Sequence, residues 1–284
     1  MSAEPSTTAV DFPVGGRLGE AALASLDGRA DPPPAPRLAS TVMLVRHGSA
    51  CPVEVFMLRR VPTMEFAPSM WVFPGGGVDA RDADAGLPWA GPSPAEWAAR
   101  IGVDEPTARQ LVIAAVREVF EECGVLLAGT DADRVVGDVS GDEWQAEREA
   151  LLSREQSFAQ LLSRRRLVLR SDLLTLQDHW LTPEFEPKRY DTYFFAALLP
   201  EGQIADDATT EADTAVWVDP KDLLAQADSR EARMLPPTVV NVRRVAGATS
   251  PEELVAARPP VVRVMPEPVR TDGGVVLRAY LPDR

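Results

Sequence analysis

The run Arg117-Glu-Val-Phe-Glu-Glu-Cys-Gly124 constrains this chain more than any other stretch. At 3.6 residues per turn, Glu118, Glu121 and Glu122 stand at i, i+3 and i+4 and share a sector of roughly 100°. Val112, Val116, Val119, Phe120 and Cys123 fall opposite them. The spacing predicts a helix with an apolar face for a core and three carboxylates on the other, wet face. Asp104 is placed to cap its start and Gly124 to end it. Like charges crowded on one turn repel by roughly 0.2–0.5 kcal/mol per pair. Arg117, one turn before Glu121, offsets part of that. The remainder suits a hard divalent cation, which prefers oxygen ligands and bridges carboxylates to phosphate groups.

Upstream, Trp71-Val-Phe-Pro-Gly-Gly-Gly77 supplies what a phosphate site needs beside such an ion. Val72 and Phe73 read as a strand end. Pro74 with Gly75, Gly76 and Gly77 reads as a tight loop whose backbone can approach a ligand closely. Strand, glycine loop and carboxylate helix together resemble the Nudix box, Gly-x5-Glu-x7-Arg-Glu-U-x-Glu-Glu-x-Gly-U, where U is aliphatic. Gly76 takes the first position, and Arg117, Glu118, Val119, Glu121, Glu122, Gly124 and Val125 match the second half. The chain departs from the pattern twice. Asp82 stands where the family has its first Glu, and residues 83–109 form an insertion inside the box. Such an insertion resembles the branch of peroxisomal coenzyme A diphosphatases and their bacterial relatives. The segment Trp180–Phe195, with its Thr182-Pro183 turn and Lys188-Arg189, resembles that branch a second time.

The resemblance implies an α/β fold: an α/β/α sandwich with a mixed sheet, extra helices from the insertion and a C-terminal extension. It implies a Mg²⁺- or Mn²⁺-dependent hydrolase of a small-molecule diphosphate. Glu118, Glu121, Glu122 and the Gly76 carbonyl would hold the metal, and Arg117 would orient the carboxylates. Asp82 would support the loop, and Glu122 or Glu211 would be the general base. Arg59, Arg60, Lys188 and Arg189 are candidate contacts to substrate phosphates. Coenzyme A or an acyl derivative is the first substrate expectation. Dinucleoside polyphosphates, nucleotide sugars and oxidised nucleotides stay open, as does a ligand-binding regulatory module, although that use would not require three intact carboxylates.

The rest of the chain bounds these readings. A net charge of −14, from 29 basic and 43 acidic residues, argues against a nucleic-acid polymer as partner, because its phosphates would be repelled. No apolar run approaches the roughly 20 residues of a membrane span. Two cysteines make no disulfide framework and fit a reduced, cytoplasmic protein. A homodimer is left open. Residues 1–38, rich in Ala and Pro, read as a flexible extension with one short helix near Glu20–Leu26. Residues 39–227 read as the hydrolase domain and 228–284 as a helix and hairpin packed on it. The hairpin is expected from Val261–Val264 with Gly274–Tyr280. Within the insertion, Ser93-Pro94 is a good helix start, and residues 83–103 are expected to wall the site. Residues 142–166 read as a helix or helical pair. Leu44-Val-Arg-His47-Gly48 after a strand resembles the signature of histidine phosphatases, but that chemistry needs a second histidine in a matching context, and His179 does not supply one.

Overall fold

The computed structural model describes residues 6–64, 67–208 and 212–283. In chain order it contains β1 (Thr7–Pro13), α1 (Gly16–Leu26), β2 (Arg37–His47), β3 (Val53–Arg60), β4 (Trp71–Val72), β5 (Gly75–Gly77), β6 (Trp89–Ala90), α2 (Pro94–Ile101) and α3 (Glu105–Cys123). Then come β7 (Ala128–Gly129), α4 (Asp142–Leu152), α5 (Phe158–Arg165), β8 (Val168–Arg170), β9 (Thr175–Leu181), β10 (Tyr190–Leu198) and β11 (Ala212–Val218). The chain continues with α6 (Pro220–Asp228), α7 (Pro236–Gly247), α8 (Pro251–Ala256), β12 (Arg263–Val264), β13 (Glu267–Thr271) and β14 (Gly274–Pro282).

The central mixed sheet runs β11-β3-β2-β10-β9-β12. Strands β2 and β10 are parallel, as are β9 and β12; the other neighbours are antiparallel. Alternate side chains on these strands leave on opposite faces, and the core divides accordingly. Val42, Leu44, Phe56, Leu58, Phe195 and Ala197 pack with α3 and the insertion helix. Met43, Val45, Val55, Met57, Phe194 and Ala196 pack on the other side with Leu223, Val242, Val245 and Leu254 of α6, α7 and α8. This is the α/β/α sandwich expected from sequence.

Strands β2 and β3 pair only beside their turn, where Val45–His47 face Val53–Val55. Further along they part. There β4 pairs with β3 and β5 with β2, so Trp71–Gly77 enters the fork between them. The glycines are thus not the tight loop expected from sequence. Their backbone is fixed as a short strand on Ala39–Thr41.

Helix α3 starts where its sequence says. Asp104 accepts the Thr107 N–H at 2.8 Å. Gly124 ends the helix at φ 69°, and a Cβ there would also stand 2.6 Å from the Asp206 carboxylate. Ser93 and Glu96 form a reciprocal capping box on α2. Residues 142–166 form the helical pair α4 and α5, whose Arg164 and Arg165 pair with Glu147.

Two expectations are corrected at the ends. Residues 7–26 are a strand and an eleven-residue helix, not a loose extension with one short helix. Strand β1 pairs with β14 over seven residues, a partner that no local pattern reveals. The terminal hairpin is β13 with β14. Val264 instead joins the central sheet beside Trp180. No described helix is long and apolar enough to cross a membrane.

Candidate active site

Arg117 is the centre of the site. Its Nε and Nη2 donate to the two oxygens of Asp82, both at 2.9 Å. Nη1 donates to Glu118 at 2.7 Å and to Glu121 at 2.8 Å. Nη2 also reaches the Gly77 carbonyl at 3.0 Å. One guanidinium therefore ties the carboxylate helix to the glycine strand and to the turn that follows it. Asp82 is fixed in its turn by the Asp79 N–H, 2.8 Å away. Glu122 accepts the Gly75 N–H at 2.7 Å. The Glu118 carboxylate lies flat on Gly76, where a Cβ would stand 2.6 Å from it, so any side chain at 76 would displace it.

The carboxylate face is not wet, as the periodicity alone suggested. Glu118, Glu121 and Glu122 are only 9%, 7% and 6% exposed. The cost shows in their proton affinities. Burial pushes Glu118 up to about 7, with Arg117 pulling it back and Glu121 adding to the rise. Burial likewise raises Glu121 against the pull of Arg117. For Arg117 burial disfavours the charge, yet Asp82, Glu118 and Glu121 together hold its pKa above the ordinary range.

Glu118, Glu121, Arg117 and Gly75–Gly77 open onto a cleft of about 910 Å³. Its walls also carry Arg37, Arg60, Arg81 and Arg154, a local basic set in an acidic protein. Arg60 is the one predicted phosphate contact among the lining residues. Its neighbour Arg59 leaves the opposite face of β3 and pairs with Asp213 at 2.7 Å. Lys188 is exposed and is not among the lining residues. Arg189 is buried and donates to the Thr182 and Pro34 carbonyls at 3.1 and 3.2 Å. The structure therefore does not bring Arg59, Lys188 or Arg189 to the carboxylates. Glu211 lies outside the described residues. Sequence reasoning missed Arg37, Arg81 and Arg154. Only Arg81, beside the box aspartate, carried a signal, through its place in the turn that Asp79 caps.

None of residues 83–103 lines the cleft. The insertion packs behind the site instead. Trp97 is 1% exposed and meets Phe195 edge-on, centroids 5.8 Å apart. His47 pairs with Glu252 on the surface. His179 stacks on Tyr193 and pairs with Asp191. Neither histidine lines the cleft.

Among the described residues, no three acidic, histidine or cysteine side chains already converge as a metal cage. The donor chemistry still fits a hard divalent cation. Glu118 and Glu121 converge on a single nitrogen of Arg117, and Gly76 lies directly against Glu118. Among the described residues, one arginine is the only cation bonded to Asp82, Glu118 and Glu121, so the cluster carries an excess of buried negative charge that such an ion would offset.

Comparison with known proteins agrees with this geometry. A family model described as the NUDT19 Nudix domain matches residues 95–245, just over half of the chain. A Caenorhabditis elegans protein named "Putative nudix hydrolase 7" is 29% identical over 193 residues, covering 68% of this chain and 56% of the relative. A Gallus gallus protein named acyl-coenzyme A diphosphatase NUDT19 is 27% identical over 250 residues, covering 72% of this chain and 64% of the relative. The chain thus spans less than two thirds of the length of either relative. The crystal structure of a Nudix hydrolase from Alicyclobacillus acidocaldarius superimposes with a TM-score of 0.67 at 25% identity, covering 78% of this chain and 96% of that one. The glycine strand, the arginine-centred carboxylates and these matches lead to one assignment: the chain belongs to the Nudix hydrolase family, in the branch described by the NUDT19 Nudix domain.

Proposed function

We propose that this protein is a diphosphatase that cleaves the diphosphate bridge of coenzyme A or an acyl-coenzyme A. The observation that carries the reading is the Arg117 cluster, which presents buried carboxylates to a cleft that also holds Arg37 and Arg60. The relatives named acyl-coenzyme A diphosphatase support the substrate class. In the reaction, the oxygen of a water forms a bond to one phosphorus. The bond from that phosphorus to the bridging oxygen breaks, and the other phosphate leaves. The products would be 3′,5′-ADP and a 4′-phosphopantetheine fragment.

The chain's own groups divide this work. Arg117 holds Glu118 and Glu121 in place, and Asp82 holds Arg117. Glu122 fixes the glycine strand through the Gly75 N–H. Arg60, which lines the cleft, would take a phosphate oxygen, a charge-assisted contact of roughly 1.5–3 kcal/mol. Glu118, Glu121, Glu122 and the Gly76 carbonyl would hold Mg²⁺ or Mn²⁺. That ion would neutralise the diphosphate and lower the pKa of the attacking water. Glu122 and Glu211 remain the general-base candidates.

The test is product analysis across coenzyme A, acyl-coenzyme A, a dinucleoside polyphosphate and a nucleotide sugar, with and without Mg²⁺ or Mn²⁺. Release of 3′,5′-ADP from the first two, abolished by EDTA, is the expected result. A stronger preference for either of the other substrates would overturn the substrate assignment. Activity that survives EDTA but is lost in His47→Ala would overturn the mechanism in favour of a phosphohistidine route.

A further inference from the structure

Three segments far apart in sequence meet at the cleft. Strands β1, β14 and β13 form a separate three-stranded sheet, and α1 packs on it. This unit contributes Leu18 from α1 and Leu277 from β14 to the cleft wall, and Pro266, just before β13, lies beside them. All three are apolar. The charged lining residues come from the β2–β3 region, the box and its flanking helices, which also supply apolar ones such as Val72, Phe73 and Leu151.

The unit is firmly seated. Leu277 is 2% exposed in a cluster with Phe12, Trp180 and Phe194. Leu18 packs against the same cluster and is half-buried at the cleft. The unit also lies outside residues 95–245, the part matched by the family model. It lines the same cleft as the glycine strand and the carboxylate helix.

We propose that this terminal unit is the specificity wall of the site. On this view Leu18, seated on the cluster that contains the buried Leu277, binds the hydrocarbon-bearing, non-nucleotide end of the substrate. The inference rests on the diphosphatase reading for the orientation of the substrate. Two observations select this occupant. The wall is continuous with the carboxylate site in a single cleft, so any group joined to the bound diphosphate must run along its sides. At about 910 Å³ the cleft is also near the upper end of small-molecule sites, which span roughly 300–1,000 Å³. A diphosphate with one polar end would leave the apolar side chains unused, whereas an acyl or thioester tail would cover them and remove apolar surface from water.

The experiment has a binding arm and a turnover arm, both on the full chain. In the first, S-octanoyl-pantetheine, which has no phosphate, is titrated calorimetrically. Wild type should bind it, and Leu18→Asp should weaken binding tenfold or more. Leu18→Met should restore it. In the second, kcat/KM for octanoyl-coenzyme A is divided by that for coenzyme A. The ratio should favour the acyl substrate in wild type and fall at least tenfold in Leu18→Asp, through KM and not kcat. Circular dichroism checks the fold, and Leu18→Ser takes the place of Leu18→Asp if the latter fails to fold. Absence of octanoyl-pantetheine binding to wild type, or an unchanged affinity and ratio in the folded variant, overturns the proposal. If the thioester binds and Leu18→Asp blocks it, yet neither coenzyme A substrate is cleaved, the wall stands and the diphosphatase reading falls.

Discussion

Asp82 and Arg117 meet side-on through two hydrogen bonds of 2.9 Å, with only 1% and 7% of their side chains exposed. The pair closes the long excursion of the box insertion and sets the position of the guanidinium that Glu118 and Glu121 share. Asp82→Ala would leave that guanidinium partly unpaired in the interior. Breaking a buried pair from one side costs about 3–5 kcal/mol. Chemical denaturation should show a loss of that order, with turnover falling as the carboxylates lose their anchor. A loss under 1 kcal/mol would mean that the helix holds Arg117 without Asp82.

Glu118→Gln should separate stability from activity. The buried carboxylates repel one another, and a neutral amide of the same shape relieves that repulsion. The melting temperature in EDTA at pH 8 should rise above wild type. Turnover should fall roughly a hundredfold or more, a barrier increase of about 2.7 kcal/mol. Wild-type turnover at saturating Mg²⁺ would remove Glu118 from the site.

The insertion should behave as core. Trp97→Ala is expected to cost about 3–5 kcal/mol, since it empties a fully buried position against Phe195. Among the described residues the buried Trp97 indole N–H finds no hydrogen-bond partner, so Trp97→Phe should be far milder. Substrate preference should be unchanged in Trp97→Phe. A shifted preference would return the insertion to the cleft.

Acid should loosen the turn that carries Asp82. Hydrogen bonding from Arg81 holds Asp79 down at about 2, below its unperturbed 3.8. A depressed carboxyl stabilises the fold above its unfolded pKa, and that stabilisation is lost as pH falls through the folded value. The window is therefore from about pH 4 down to about 2. Arg81→Gln should move the onset of acid unfolding, followed by circular dichroism, to higher pH. An unchanged onset would show that the Asp79–Arg81 pair does not couple to stability.

The helix of the site was readable because its signals are local. Asp104, the i, i+3, i+4 glutamates and Gly124 lie within about six turns. What surrounds the helix was not. Nothing in the periodicity told that Glu118–Glu122 would be covered, because the cover comes from α4, the glycine strand and distant loops. Arg59 and Arg60 looked equivalent as a dipeptide, but consecutive strand residues leave on opposite faces. Phe56 and Leu58 of β3 face α3, so Arg60 follows them to the cleft side. Arg189 resembled a ligand contact in its motif, yet its donors are used on main-chain carbonyls of neighbouring loops. The strand at Thr7–Pro13 was hidden because its partner is at the far end of the sequence.

That last pairing carries a kinetic cost. Thr8 and Asp283, 275 residues apart, are joined by a hydrogen bond of 2.7 Å. The β13–β14 hairpin closes a two-residue turn, whereas adding β1 closes a loop of nearly the whole chain, and closure entropy grows with loop length. Docking of β1 therefore belongs late in folding, after the central sheet and hairpin exist. It is also a natural place for local opening, in which the amides of Thr7–Pro13 would exchange with solvent while α3 stays protected. Opening confined to β1 would leave β14 paired with β13 and the carboxylate helix in place, so the site would keep its shape while the terminal strand breathes.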